Sequence, residues 1–218
     1  MRYIYCLTSF LLFLIISGMQ IQKKDKVLFF GDSITQAGVK PGGYISLMKD
    51  RLPEQELIGA GIGGNKVYDL FLRLEDDVLS KKPDIVFIYV GVNDVWHKQS
   101  SQTGTDPDKF IAFYTALIKK MQAAGIKIIV CTPAVIGERT DFSNAQDGDL
   151  NRYSQIIRDL ASKYGCGLVD LRKAFLEYNQ KNNPENKESG ILTTDRVHLN
   201  PAGNQLVADL MLKALSGK

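Results

Sequence analysis

Three short runs of this chain are apolar almost throughout: 27–30 (VLFF), 85–90 (IVFIYV) and 126–131 (IKIIVC). A strand with one wet face alternates apolar and polar residues, whereas an unbroken apolar run is buried on both faces. That pattern implies a parallel sheet with helices above and below it. Weaker strands are expected at 56–58 and 168–171. Between the strands, Val67, Leu70, Phe71, Leu74 and Val78 form one stripe at helical spacing, and Tyr153, Ile156, Ile157, Leu160 and Tyr164 form another. Asp106-Pro107 reads as a helix start and Gly125 as the stop after Ala124. Asn200-Pro201 repeats the start signal before a last helix expected to turn Leu206, Leu210 and Ala214 inward. The strand–helix alternation runs five times without a repeat, low-complexity segment or composition shift. It predicts a single-domain α/β fold: a doubly wound (flavodoxin-like) five-stranded parallel sheet with helices on both faces. A chain of 218 residues is long enough for such a domain to bury roughly 70% of its unfolded surface.

The first residues follow another pattern. Arg2 precedes an apolar stretch over 3–16, then Ser17-Gly18, then the polar residues Gln20 to Lys23. This is the charge, apolar core and small-residue order of a secretory signal peptide, assigned to 1–19. A short linker, 20–25, leads into the domain, 26–218. The apolar run is shorter than the ~20 residues that a membrane span needs. A secreted or periplasmic protein is therefore expected, with no stable membrane insertion. The alternative is a protein anchored by this segment uncleaved, Gly18-Met19 being an imperfect cleavage site. Cys6 lies inside the segment and none closes it, so a lipoprotein anchor is not indicated. Cys131 and Cys166 fall at opposite ends of neighbouring parallel strands, on the order of 15 Å apart, too far for a disulfide. Both are expected to be free and buried. The net charge of +3 has no basic run behind it, which argues against nucleic acid as a partner.

Ligands of a doubly wound sheet bind beyond the carboxyl ends of its strands. Gly31-Asp32-Ser33 follows the first strand, the glycine run 59–64 and Asn65 follow the second, and Gly91-Val92-Asn93-Asp94 follows the third. Asp195-Arg196-Val197-His198 precedes the last helix. These supply a hydroxyl, backbone amides, a side-chain amide, and an acid with an imidazole, which are the parts of acyl transfer. A serine hydroxyl is a weak nucleophile until a base takes its proton, and histidine is suited to that near neutral pH. Asp195 would hold the tautomer of His198 and stabilise the imidazolium. The Ser33 and Gly64 N–H groups and the Asn93 amide would receive the oxyanion.

Taken together, GDSIT, GIGGN, GVND and DRVHLNPAG resemble the blocks of the SGNH, or GDSL-type, serine esterases and lipases. They occur in the family's order and span nearly the whole chain after residue 26. The resemblance implies Ser33 as nucleophile, Asp195 and His198 as acid and base, and Ser33, Gly64 and Asn93 as the oxyanion hole. It also implies an enzyme without a cofactor. The GGY after the first block and the DRVHLNPAGN ending are similar to isoamyl-acetate-hydrolysing esterases and bacterial acetylesterases. That points to a small acyl group, acetyl foremost, on a small-molecule or carbohydrate ester. The family often has Asn where Gly59 stands, which leaves a supporting hydrogen bond open. A lysophospholipase or thioesterase-type hydrolase and a non-catalytic glycan-binding descendant are the alternatives.

Other readings of the same residues are weaker. Residues 59–64 match GxGxxG, but the next strand does not end in the acid that a dinucleotide site needs, and no Lys-Ser or Lys-Thr follows for a phosphate loop. His97 and His198 are the only histidines, HExxH is absent, and no metal is expected. GxSxG is absent too, so the nucleophile elbow of the α/β-hydrolases does not apply. Asp32 is expected to brace the nucleophile turn, and Asp94 to anchor the Asn93 loop. His97 is expected at the rim of the site. Long loops at 95–106 and 134–148 would flank it, with Tyr44, Trp96 and Phe142 as candidate substrate contacts.

Overall fold

Strand β1 (Lys26–Gly31) is buried from its second residue onward and β3 (Ile85–Tyr89) along its whole length. Both lie inside a five-stranded, all-parallel sheet of order β2-β1-β3-β4-β5 in the computed structural model, which describes residues 24–217. The other strands are β2 (Glu56–Gly61), β4 (Lys127–Cys131) and β5 (Gly167–Val169). Segment 1–19, read as a signal peptide, lies outside the described residues, as does most of the linker. The expected fold class is the observed one. The order reverses at β1, whose neighbours are β2 on one side and β3 on the other. Their carboxyl ends therefore open the crevice in which such sheets hold ligands.

Aromatic residues fill the centre. Phe29 stacks on Phe87 with centroids 5.1 Å apart, and Tyr44 meets Phe29 edge-on at 5.9 Å. Full burial of each such side chain is worth about 1.5–3 kcal/mol. Cys131 and Cys166 are free, as expected, but only Cys131 is buried. Cys166 lies in the turn before β5, where covering is partial.

Helix bounds differ from expectation in four places, each for a local reason. The stripe 67–78 is not one helix but α3 (Val67–Leu72) followed by the single turn α4 (Leu74–Asp77). The break is at Arg73, whose guanidinium is pulled beneath the sheet ends. The first half of the expected loop 95–106 belongs to helix α5 (Val92–Ser100). Helix α8 (Leu171–Asn182) was not expected; Asp170 caps it by accepting the Lys173 N–H. In the last helix, α9 (Pro201–Ser216), the buried line is Gly203, Val207, Ala208 and Met211, with Leu206, Leu210 and Ala214 only half-buried beside it. Its start is as expected, Asn200 accepting the Gly203 N–H at 3.0 Å. The remaining helices are α1 (Ser33–Gly38), α2 (Tyr44–Arg51), α6 (Pro107–Ala123) and α7 (Asp147–Tyr164).

Candidate active site

Ser33 is the first residue of α1, directly beyond β1. Asp32 forms the cap, its Oδ1 accepting the Ile34 N–H at 3.0 Å, while its carbonyl accepts from Gln36. In this first helical turn the backbone N–H groups lack helical partners and point outward. Asp32 is fully buried, and its carboxyl is pushed up to about 7: burial dominates and Asp94 adds to it, opposed by the Ile34 N–H and His198. The brace expected of Asp32 is thus present.

The glycine run serves close packing. A Cβ on Gly61 would stand 2.1 Å from the Gln36 nitrogen, so only glycine lets β2 end against α1. Gly64 adopts φ +76°, a left-handed conformation that glycine takes without strain. The Gly63 N–H donates to Gln36 Oε1 at 3.0 Å, holding the turn against α1. At Gly59 a Cβ would press within 2.2 Å of a Val39 side-chain methyl, so a larger residue there would require Val39 to shift.

Asn93 is the second residue of α5 and is buried; its Nδ2 donates to the Asn65 carbonyl at 3.1 Å. Asp94 accepts the Val67 N–H at 3.2 Å and 3.3 Å through its two oxygens, tying α5 to the start of α3. Burial, the leading cause, pushes the Asp94 carboxyl up to about 6. Asp94 thus anchors the Asn93 loop, as expected.

Asp195 and His198 come from the turn before α9. His198 Nε2 is 2.9 Å from Ser33 Oγ, and His198 Nδ1 is 2.7 Å from Asp195 Oδ2. The other Asp195 oxygen accepts the His198 N–H at 2.8 Å and the Val197 N–H at 3.2 Å. Partial burial would raise the Asp195 carboxyl, but these bonds outweigh it and hold the acid below its ordinary value. The Asp195 side chain is 51% exposed and that of His198 36%, so the pair faces open solvent. Trp96 stands edge-on to His198 with centroids 6.4 Å apart and contacts His97 at 5.8 Å. His97 reaches toward Gly64 at the rim, and burial, then Lys66, pushes its imidazole pKa down.

The other two candidate contacts differ in exposure. Tyr44 is fully buried, its hydroxyl donating to Thr35 Oγ1 at 3.0 Å and its ring wedged against Phe29 and Tyr89. It is a core residue, because the GGY turn drops the start of α2 onto the sheet. Phe142 is 90% exposed on a loop. Among the described residues, no group of three His, Cys, Asp or Glu side chains is placed to hold a metal ion.

Two residues that organise the site carried no local signal. Arg73 donates from Nη2 to the Gly31 carbonyl at 2.7 Å, from Nη1 to the Ala60 carbonyl at 3.1 Å and from Nε to Asn65 Oδ1 at 2.7 Å. One guanidinium thus joins the β1 end that carries Ser33 to the turn that carries Gly64, and its charge lies over the Phe30 ring at 4.5 Å. The second residue is the buried Glu138.

Residues 29–206 match the GDSL-like lipase/acylhydrolase family. The crystal structure of an acetyl xylan esterase, AlAXEase, superposes with a TM-score of 0.86 at 65% identity, covering 87% of this chain and 99% of that one. The acetylxylan esterase of Geobacillus stearothermophilus is 29% identical, over 90% of this chain and 96% of its own; its structure gives a TM-score of 0.78. Solved catalytic mutants of that enzyme replace a serine, an aspartate or a histidine by alanine, the aspartate three positions before the histidine. An isoamyl acetate-hydrolyzing esterase 1 homolog of Rattus norvegicus is 25% identical, over 84% of this chain and 78% of its own.

Proposed function

The chain belongs to the GDSL-like lipase/acylhydrolase family, and on that premise we propose that it is a serine esterase removing small acyl groups, acetyl foremost, from carbohydrate or small-molecule esters. The observation that carries this reading is the chain of contacts Ser33 Oγ to His198 Nε2 to Asp195 at 2.9 Å and 2.7 Å. Ser33 attacks the ester carbonyl while His198 takes its proton. The carbonyl oxygen becomes an oxyanion, received by the N–H groups of Ser33 and Gly64 and the side-chain amide of Asn93. His198 then returns the proton to the departing alcohol. Water, deprotonated by the same imidazole, attacks the acyl-serine and releases the acid. Asp195 stays ionised throughout and stabilises the imidazolium.

The acetyl preference has its support in the acetyl xylan esterases to which the chain is similar. The open face of Asp195 and His198 suits a bulky alcohol half, such as a glycan, lying outside the site while only the acyl group enters. Export through segment 1–19 would bring the enzyme to such substrates.

The test is turnover of an aryl acetate and labelling by a fluorophosphonate, beside Ser33→Ala. Native protein that neither hydrolyses nor labels overturns the esterase reading. Acetate release from acetylated xylan, short alkyl acetates and lysolipids then identifies the alcohol half.

A further inference from the structure

Glu138 is 1% exposed, yet among the described residues no lysine, arginine or histidine lies within ion-pair range of it. Its carboxylate is met by backbone amides. Oε1 accepts from Leu192 at 2.6 Å and Thr193 at 2.8 Å, and Oε2 accepts from Ile191 at 2.9 Å. A buried carboxylate is costly unless hydrogen-bonded, and here three consecutive N–H groups converge on it.

The segment so held leads directly to the acid and base. Thr193 bridges Leu199 in antiparallel fashion, and the Thr194 N–H donates to the His198 carbonyl at 2.8 Å. Residues 193–199 therefore form a small closed turn with Asp195 and His198 on it. The loop after β4 grips this turn twice: Glu138 holds its base, and the neighbouring Gly137 N–H donates to the Arg196 carbonyl at 2.9 Å. Arg196 has φ +83°, a conformation that a residue with a side chain keeps only when its surroundings enforce it. Glu138 is itself fixed. Asn183 Nδ2 donates to its carbonyl at 2.9 Å, and the buried Arg172 bonds the Ala134 carbonyl at 3.2 Å and Asp147 at 2.6 Å.

Ser33 belongs to a different part of the sheet, so the Ser33–His198 separation depends on where this turn is held. We propose that Glu138 is a positioning residue: its carboxylate sets the turn that places His198 against Ser33. The inference rests on the reading of Ser33 and His198 as nucleophile and base.

The experiment compares Glu138→Gln, Glu138→Ala and Ser33→Ala with the parent enzyme on an aryl acetate. It measures kcat, KM, fluorophosphonate labelling rate and Tm. A misplacement of about 1 Å costs roughly 10²-fold in rate, so Glu138→Ala should lose kcat and labelling on that order with KM little changed. Glu138→Gln keeps one carbonyl acceptor for Leu192 and Thr193 and should fall between the two. Where Glu138→Ala does not fold, Glu138→Gln decides alone. A lowered Tm with parental kcat and labelling overturns the inference, as does a change in KM alone. If Ser33→Ala is inactive while the Glu138 variants equal the parent, only this inference fails; if Ser33→Ala retains turnover, the assignment of Ser33 as nucleophile, on which the inference rests, fails.

Discussion

Ser33 Oγ and His198 Nε2 meet at 2.9 Å although 165 positions of sequence separate them. If that contact transfers the proton, His198→Ala should lower kcat by roughly 10⁶-fold, as removal of the base does in other serine hydrolases. Asp195→Asn should cost less, about 10⁴-fold, by favouring the wrong tautomer. Steady-state kinetics with an aryl acetate checks both. Retained fluorophosphonate labelling in His198→Ala would remove its assignment as the base.

Asn93, proposed as an oxyanion donor, is buried with its side-chain amide held by the Asn65 carbonyl. Asn93→Ala should lower kcat roughly 10²–10³-fold, the usual loss of one oxyanion donor. KM should change little, because the charge it stabilises develops only in the transition state. A rise in KM at constant kcat would make Asn93 a ground-state contact instead.

Arg73 joins the Gly31 and Ala60 carbonyls and Asn65. A lysine can supply the charge but not this fork of fixed donors. Arg73→Lys should therefore lower both Tm and kcat, and Arg73→Met should lower them further. Parental kcat in a folded Arg73→Lys protein would show that the fork is dispensable to the site.

Asp32 gives a pH prediction with a definite sign. Its carboxyl is raised from 3.8 to about 7 by burial, so the folded state binds the proton more tightly than the unfolded chain. The stability this contributes is complete below pH 3.8 and is lost as pH rises through about 7. At about 1.4 kcal/mol per pKa unit, the full loss is on the order of 4 kcal/mol. Asn at this position keeps the cap without the charge. The Tm of Asp32→Asn relative to the parent should thus climb between pH 4 and 8, whereas a flat difference would contradict it. Asp94, raised to about 6 by burial, leaves a similar but smaller trend in both proteins.

Tyr44 and Trp96 should separate cleanly. Tyr44→Phe removes a buried hydroxyl bond to Thr35 and should lower Tm, by about 1 kcal/mol in stability, with kcat/KM unchanged. Trp96→Ala strips the ring that stands edge-on to His198 and should lower kcat/KM more for bulky esters than for an aryl acetate. Equal loss on both substrates would argue against a specificity role.

The contrast between those two aromatic residues also marks how far sequence reasoning reached. Val27 to Phe30 and Ile85 to Val90 announced buried parallel strands because double-sided burial leaves no polar positions. Once the strands were placed, Ser33, Gly64 and Asn93 followed, since each lies within a few residues of a strand end. Tyr44 was misjudged because proximity to the nucleophile in sequence said nothing about the direction of the turn between them. The break at Arg73 was hidden because an arginine in a helical stripe ordinarily faces water. Helix α8 follows a strand of only three residues, too short to signal where it ends. Glu138 was illegible for a plainer reason: its partners lie 53 to 55 positions away and are backbone amides, which have no letter in the sequence.

Asp195 binds both the ring and the backbone N–H of His198, and that pair of hydrogen bonds has a mechanical consequence. The two residues are members of one link, so a shift of their turn carries both together and leaves their mutual geometry intact. The only joint that opens is the one between that link and Ser33. In enzymes whose acid and base ride on separate loops, two distances must be kept at once; on the proposed triad, a single distance would be the throttle of the site here.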